Sequence, residues 1–338
     1  MKKFFYAYGD GFPFFIYYIS LFVTTGYFTV LCGNIYSCSI FLLLSVLYLT
    51  TKHGNRRAEN KQNETSKAVF NILASSSMVI SVFAEIGIAV KIFNLASDAD
   101  SGKAELSIFA AIICVTALLA AVYGINALGR VACFGGIIPF LILVPIASCF
   151  FKYGMGNIMD IMVIGDLGGD ILKGTAAFLL LVSDIGIVHS SFSSERSCDP
   201  TNASLWTRAA TVYIILCSLM LTLLFGKNIA SELSSALMSC ADAAGSSGTD
   251  EILLIIFSFC LVLRLGMKMI FISKRLREYF LKGSKCMTVT FIITSCAALC
   301  GAFFTEKNDI SVLITVQAIL NAVSFIAVPY LSIYARKK

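Results

Sequence analysis

Long, nearly unbroken apolar runs separated by short charged or turn-rich breaks make up most of this sequence. The runs are continuous rather than alternating, which is the pattern of fully apolar helices. A helix needs about 20 such residues to cross the hydrocarbon core of a bilayer. Only helices and closed barrels satisfy every backbone amide there. The pattern therefore predicts an all-α membrane protein with spans near residues 11–32, 34–50, 68–95, 106–128, 131–151, 172–193, 208–226, 251–272, 286–304 and 310–334. The connections at 33, 129–130 and 305–309 are short, so the spans they join are expected to be antiparallel hairpins.

Charge orients these spans. With the N-terminus placed inside, 18 of the 26 Lys and Arg residues fall in inner segments. Five fall outside (Lys103, Lys152, Lys173, Lys227 and Lys307) and three within spans (Lys91, Arg264 and Lys268). The positive-inside rule selects this topology, with both termini cytoplasmic. Gaining or losing one span would scramble the asymmetry, so the bias also supports the count. Composition agrees: 58% hydrophobic and 14% charged residues cannot clothe a water-soluble surface. The net charge of +6 is mostly this inner bias and implies no nucleic-acid partner. Lys2 and Lys3 precede an apolar run that Asp10 interrupts, which reads as a retained first helix rather than a cleaved signal. Two outer segments exceed simple turns: 152–171, with Asp160, Asp166 and Asp170, and 227–250, where Ser231 to Ala241 suit a short amphipathic helix. The inner segment 51–67 is polar and without apolar period.

Several chemistries have no footing. Ten of the twelve cysteines lie in or at the ends of apolar spans, where Cys acts as a small hydrophobe. Cys198 and Cys240 are expected on opposite sides of the membrane. No Cys/His cluster has metal-ligand spacing. There is no Gly-rich phosphate loop, no His-Glu-x-x-His and no Gly-x-Ser-x-Gly turn. The expectation is a protein that is not an enzyme and uses no metal or other cofactor. The Asn-x-Ser/Thr matches at Asn63 and Asn202 fall on the inner side.

Ten spans divide as five plus five within a single membrane domain, a first repeat over 11–151 and a second over 172–334. An odd number in each half inverts one half relative to the other. Inverted repeats place a binding site near the midplane, where the first helix of each half is broken. Mid-span 1 reads Thr24-Thr25-Gly26 and mid-span 6 reads Ser183-Asp184-Ile185-Gly186. Small and polar residues at corresponding positions suit two broken helices that line a ligand site. They also suit helices that simply approach closely.

Three spans carry an ionisable residue near their middle: Glu85, Asp184 and Arg264. Each costs roughly 2.5–3.5 kcal/mol on insertion scales, so each needs a partner or a polar cavity. Asp184 sits about 15 Å into its span at 1.5 Å per residue. It is either a ligand contact beside Gly186 or half of an ion pair. Arg264 cannot shed its charge. It either pairs with Asp184 or Glu85, or clamps the carboxylate of an amino-acid-like ligand. Both hold if the ligand competes with the internal partner. Glu85 either neutralises Arg264 or Lys268, or carries a coupling proton. Lys268 shares a helix face with Arg264 and, near the inner end of a span closing at 272, is expected to snorkel to the interface, as is Lys91 at the outer end of its own span. His189 lies about 140° around the helix from Asp184 and reads as interfacial. Trp206 and Arg208 read as an interface anchor, and His53 falls in a polar loop.

The run Tyr123-Gly124-Ile125-Asn126-Ala127-Leu128-Gly129-Arg130 with Ile138-Pro139-Phe140 resembles the junction of spans 4 and 5 in the B subunit of spore germinant receptors. Phe225-Gly226-Lys227, Gly266-Met267-Lys268 and Pro329-Tyr330 are similar to further stretches of that family. These are endospore germination permeases of the amino acid–polyamine–organocation superfamily. The resemblance covers nearly the whole chain in order, with loose motifs. Where the family carries a Gly-Thr-Gly-like break in span 1, this chain keeps Gly26 and has Thr24 where the other glycine stands. The resemblance implies a ten-helix inverted-repeat (LeuT-like) transporter fold in the spore inner membrane. It implies a small-molecule germinant such as an amino acid, with an A-type membrane subunit and a C-type lipoprotein as partners. The ligand-binding set expected from it is Thr24, Thr25, Gly26, Ser183, Asp184, Gly186 and Arg264, with Glu85 and Lys268 as an ion-pair or proton site. The competing expectations are a proton- or sodium-coupled amino acid transporter of the same superfamily, and a structural subunit without a ligand.

Overall fold

A computed structural model describes residues 39–41, 43–44, 64–96, 103–134, 141, 143–153, 168–169, 171–172, 174–176, 178–179, 208–209, 212–214, 216–217, 220, 223–224, 249–279, 285–305, 319–320 and 323. Among the described residues the chain is helical apart from the turn at Tyr123–Gly124, with no strand. Six helices are continuous: α1 (Glu64–Ala96), α2 (Lys103–Val122), α3 (Ile125–Phe134), α4 (Leu143–Tyr153), α5 (Thr249–Tyr279) and α6 (Lys285–Thr305). Among the described residues, two segments are long and apolar enough to cross a membrane, Leu254–Arg277 of α5 and Lys285–Phe303 of α6. Shorter apolar stretches run over Ile72–Gly87 of α1 and Ser107–Val122 of α2.

α1 and α5 run antiparallel, and their contacts keep step. Glu85 meets Arg264, and one turn earlier on α1 Ser81 meets Lys268, one turn later on α5. Further along the same direction the seam turns apolar, with Ala74 and Met78 packed on Phe271 and Ile272. Val79 and Leu276 flank that cluster. α1 also stacks on α2 through Phe93 and Phe109, whose ring centroids are 4.5 Å apart. The α5 segment is mostly buried and the α6 segment mostly not, so α5 is the inner helix of this group.

The described helices turn large apolar side chains outward and keep charged ones inside. Outward positions of α2 are Ile108, Ile112, Val115, Leu119 and Val122, and those of α6 include Ile292 and Phe303. The fully buried side chains of greatest volume include Arg264 and Lys268. Two buried hydroxyls on α6 are satisfied locally: Thr290 donates to the Cys286 carbonyl and Thr294 to the Thr290 carbonyl, each at 2.8 Å. Such back-bonding lets a threonine sit in an apolar environment without an unpaired donor.

Two boundaries differ from expectation. The break after the 106–128 run comes at Tyr123–Gly124, and Gly129 and Arg130 lie inside α3. Gly124 takes φ +81°, a left-handed conformation open to glycine and costly for other residues. Its amide closes a turn on the Ala121 carbonyl at 2.9 Å, and its carbonyl accepts from Ala127 and Leu128 to start α3. α5 also continues to Tyr279, past the expected end at 272. Of the described cysteines, Cys114, Cys149, Cys217, Cys260 and Cys286 are buried, and Cys296 and Cys300 on α6 are exposed.

The α1–α6 crossing is set by Gly301. A methyl there would stand 2.2 Å from the Phe83 carbonyl oxygen, which is backbone and cannot swing aside. Gly301→Ala is therefore expected to destabilise the protein by about 2 kcal/mol, outweighing alanine's better helix propensity. Thermal unfolding in detergent checks this. Gly124→Ala meets nothing within 4 Å and should show only the backbone penalty of about 1 kcal/mol.

Candidate functional site

One acidic side chain organises the buried polar seam. Glu85 lies on α1 with a residue exposure of 1%. Its Oε1 accepts from Arg264 Nε at 3.0 Å and from Lys268 Nζ at 2.6 Å, and Arg264 Nη2 donates to the same oxygen. Ser81 Oγ, one helical turn before Glu85, donates to Oε1 at 3.4 Å and accepts from Lys268 Nζ. Arg264 and Lys268 are four residues apart on α5, which puts them on one face, one turn apart. Their side chains are fully buried and that of Glu85 is 2% exposed. Ser77, also buried, extends the polar row of α1 by one more turn.

Burial sets the energetics. Each ion removed from water costs several kcal/mol, which only close contacts and full hydrogen bonding offset. The donors crowd onto one oxygen. Glu85 Oε2 is buried and has no hydrogen-bond partner among the described residues. The carboxylate thus has one oxygen engaged by two cations and a hydroxyl, and another left as an acceptor for a ligand donor, a water or a proton.

Of the residues expected at a site, the structure brings together Glu85, Arg264 and Lys268. Thr24, Thr25, Gly26, Ser183, Asp184 and Gly186 lie outside the described residues, as do His189 and Trp206. Lys268 departs from the snorkelling expected of it. It is 1% exposed with its ammonium on Glu85 and Ser81, because α5 continues for eleven residues beyond it. Ser81 was not singled out in the sequence. Its signal is the row Ser77, Ser81, Glu85, spaced four residues apart along an apolar helix. Among the described residues no group of three or more His, Cys, Asp or Glu residues is placed to hold a metal ion.

Neither a protein-family model nor a curated protein matches the chain.

Removing the acid from this cluster strands two buried cations, a change that costs roughly 3–5 kcal/mol. Glu85→Gln should therefore lower stability by about that amount, measured by thermal unfolding in detergent. Lys268→Met should cost less, because it leaves the Glu85–Arg264 pair in place and substitutes an apolar chain of similar length.

Proposed function

We propose that this chain is an integral, multi-pass membrane subunit of a spore germinant receptor that binds a small nutrient, such as an amino acid, and signals germination. The observation that carries the reading is the buried Glu85–Arg264–Lys268 cluster between α1 and α5. These helices correspond to spans 3 and 8, which are equivalent positions in a five-plus-five inverted repeat. The near-full-length resemblance to germination permeases supports the ten-helix transporter fold and a spore inner-membrane location. It also supports an A-type subunit and a C-type lipoprotein as partners. The apolar outward face of α2 and the buried charges support lipid as the surrounding medium.

In this reading Arg264 is the anion clamp. Its planar guanidinium already grips one carboxylate, that of Glu85, through two nitrogens. A ligand carboxylate arriving from the Thr24–Gly26 and Ser183–Gly186 segments would compete for it. Lys268 would then hold Glu85, so no bare carboxylate is left behind. Ligand binding thereby changes a contact between two helices, and that change is the signal. Spores carrying Arg264→Gln or Asp184→Asn should lose most of their response to the nutrient that germinates the parent strain. Unchanged responses from both variants would remove the site.

A second reading, a proton- or sodium-coupled amino acid transporter, is favoured by the buried Oε2 of Glu85, an acceptor without a donor among the described residues. Uptake of labelled amino acid into proteoliposomes separates the two. The receptor reading expects binding without net accumulation, and gradient-driven accumulation would favour the transporter.

A further inference from the structure

The helix that carries both cations is pressed from behind. Gly266 lies two residues after Arg264 and two before Lys268, about 200° around α5 from each. It therefore occupies the face opposite the cluster. A methyl on Gly266 would stand 3.2 Å from Leu128 Cδ2, 3.3 Å from Leu128 Cδ1 and 3.3 Å from the Ala117 carbonyl oxygen. α5 is thus held between Glu85 on one side and the α2–α3 corner on the other.

Leu128 is fully buried, but the corner that carries it is not. Tyr123 is 77% exposed, and Arg130 and Val131 are exposed as well. The Leu128 amide donates to the carbonyl of Gly124, 3.2 Å away, so Leu128 is tied directly to the left-handed turn. A displacement of the exposed corner moves the buried leucine with it.

We propose that Leu128 is a positioning residue, coupling the exposed corner at 123–131 to the buried Glu85–Arg264–Lys268 cluster by bearing on α5 at Gly266. The cluster is sensitive to such a push. Its bonds from Arg264 Nε and Lys268 Nζ to a single oxygen are short and directional. A close-packed interior passes on a shift of a few tenths of an ångström instead of absorbing it. The corner is consequently a handle through which a contact outside the helix bundle alters the internal ion pairs. This inference rests on packing alone and is independent of which ligand, if any, the cluster binds.

The test is a thermal-unfolding cycle on the full chain in detergent. Gly266→Ala is measured in the parent protein and in a charge-free background carrying Glu85→Gln, Arg264→Gln and Lys268→Met. If Leu128 acts on the cluster, Gly266→Ala lowers Tm about twofold more in the parent than in the charge-free background, where no ion pair is left to misalign. Equal losses in both backgrounds would overturn the proposal and leave an ordinary packing contact. Should the charge-free background fail to fold, Leu128→Ala and Lys268→Met form the same cycle: non-additive Tm changes are expected, and additive ones would overturn the proposal.

Discussion

One carboxylate shared by an arginine and a lysine, out of reach of water, is the constraint on which this structure depends. Arg264 stays charged in any protein environment. In an apolar bundle it must find an anion, and Glu85 is the anion it finds. Meeting that demand requires α1 and α5 to be antiparallel neighbours in one register. The same register brings Ser81 to Lys268 and seats Ala74 and Met78 on Phe271 and Ile272. The ion pair and the apolar packing below it share one register.

The two helices of the seam are also held from outside it. Gly301 lets α6 touch the backbone of α1 at Phe83, between Ser81 and Glu85 in sequence. Gly266 brings α5 close to the Leu128 side chain of α3 and the Ala117 carbonyl of α2. A side chain at Gly301 would force α6 off α1, and one at Gly266 would press on its neighbours by a few tenths of an ångström. Glycine is used here for close approach rather than for flexibility. A functional consequence follows from the energetics: a site that needs tight helix spacing to stay neutral is one where a small change of spacing, or a competing anion, has a large effect.

Much of this is legible in the sequence, and the departures have physical causes. Continuous apolar runs predicted helices, and the described part of the chain is helical, with α6 matching its run to within a residue at each end. Glu85 and Arg264 stood out because a charge in the middle of an apolar run must be accounted for. Which residue pairs with which was not legible, because partners 179 positions apart in the chain leave no local pattern. Hydropathy puts Lys268 near a span end because it stops at the first charged cluster, whereas the helix continues through Lys274, Arg275 and Arg277. The extra turns place Lys268 well inside. The apolar pattern places this corner at 129–130, five residues after Gly124. The left-handed glycine, not the charge, ends the helix. Ser81 carries little signal by itself, since a serine in an apolar helix is ordinary; its spacing from Ser77 and Glu85 sets it apart.

The central claim is that Glu85 and Arg264 stabilise one another inside the helix group. A double-mutant cycle with Glu85→Gln and Arg264→Gln, read as unfolding free energy in detergent, measures that directly. Strong coupling is predicted, at least about 2 kcal/mol, with the double variant more stable than the sum of the single losses implies. Additive losses would mean that the two side chains do not meet, and would contradict the account.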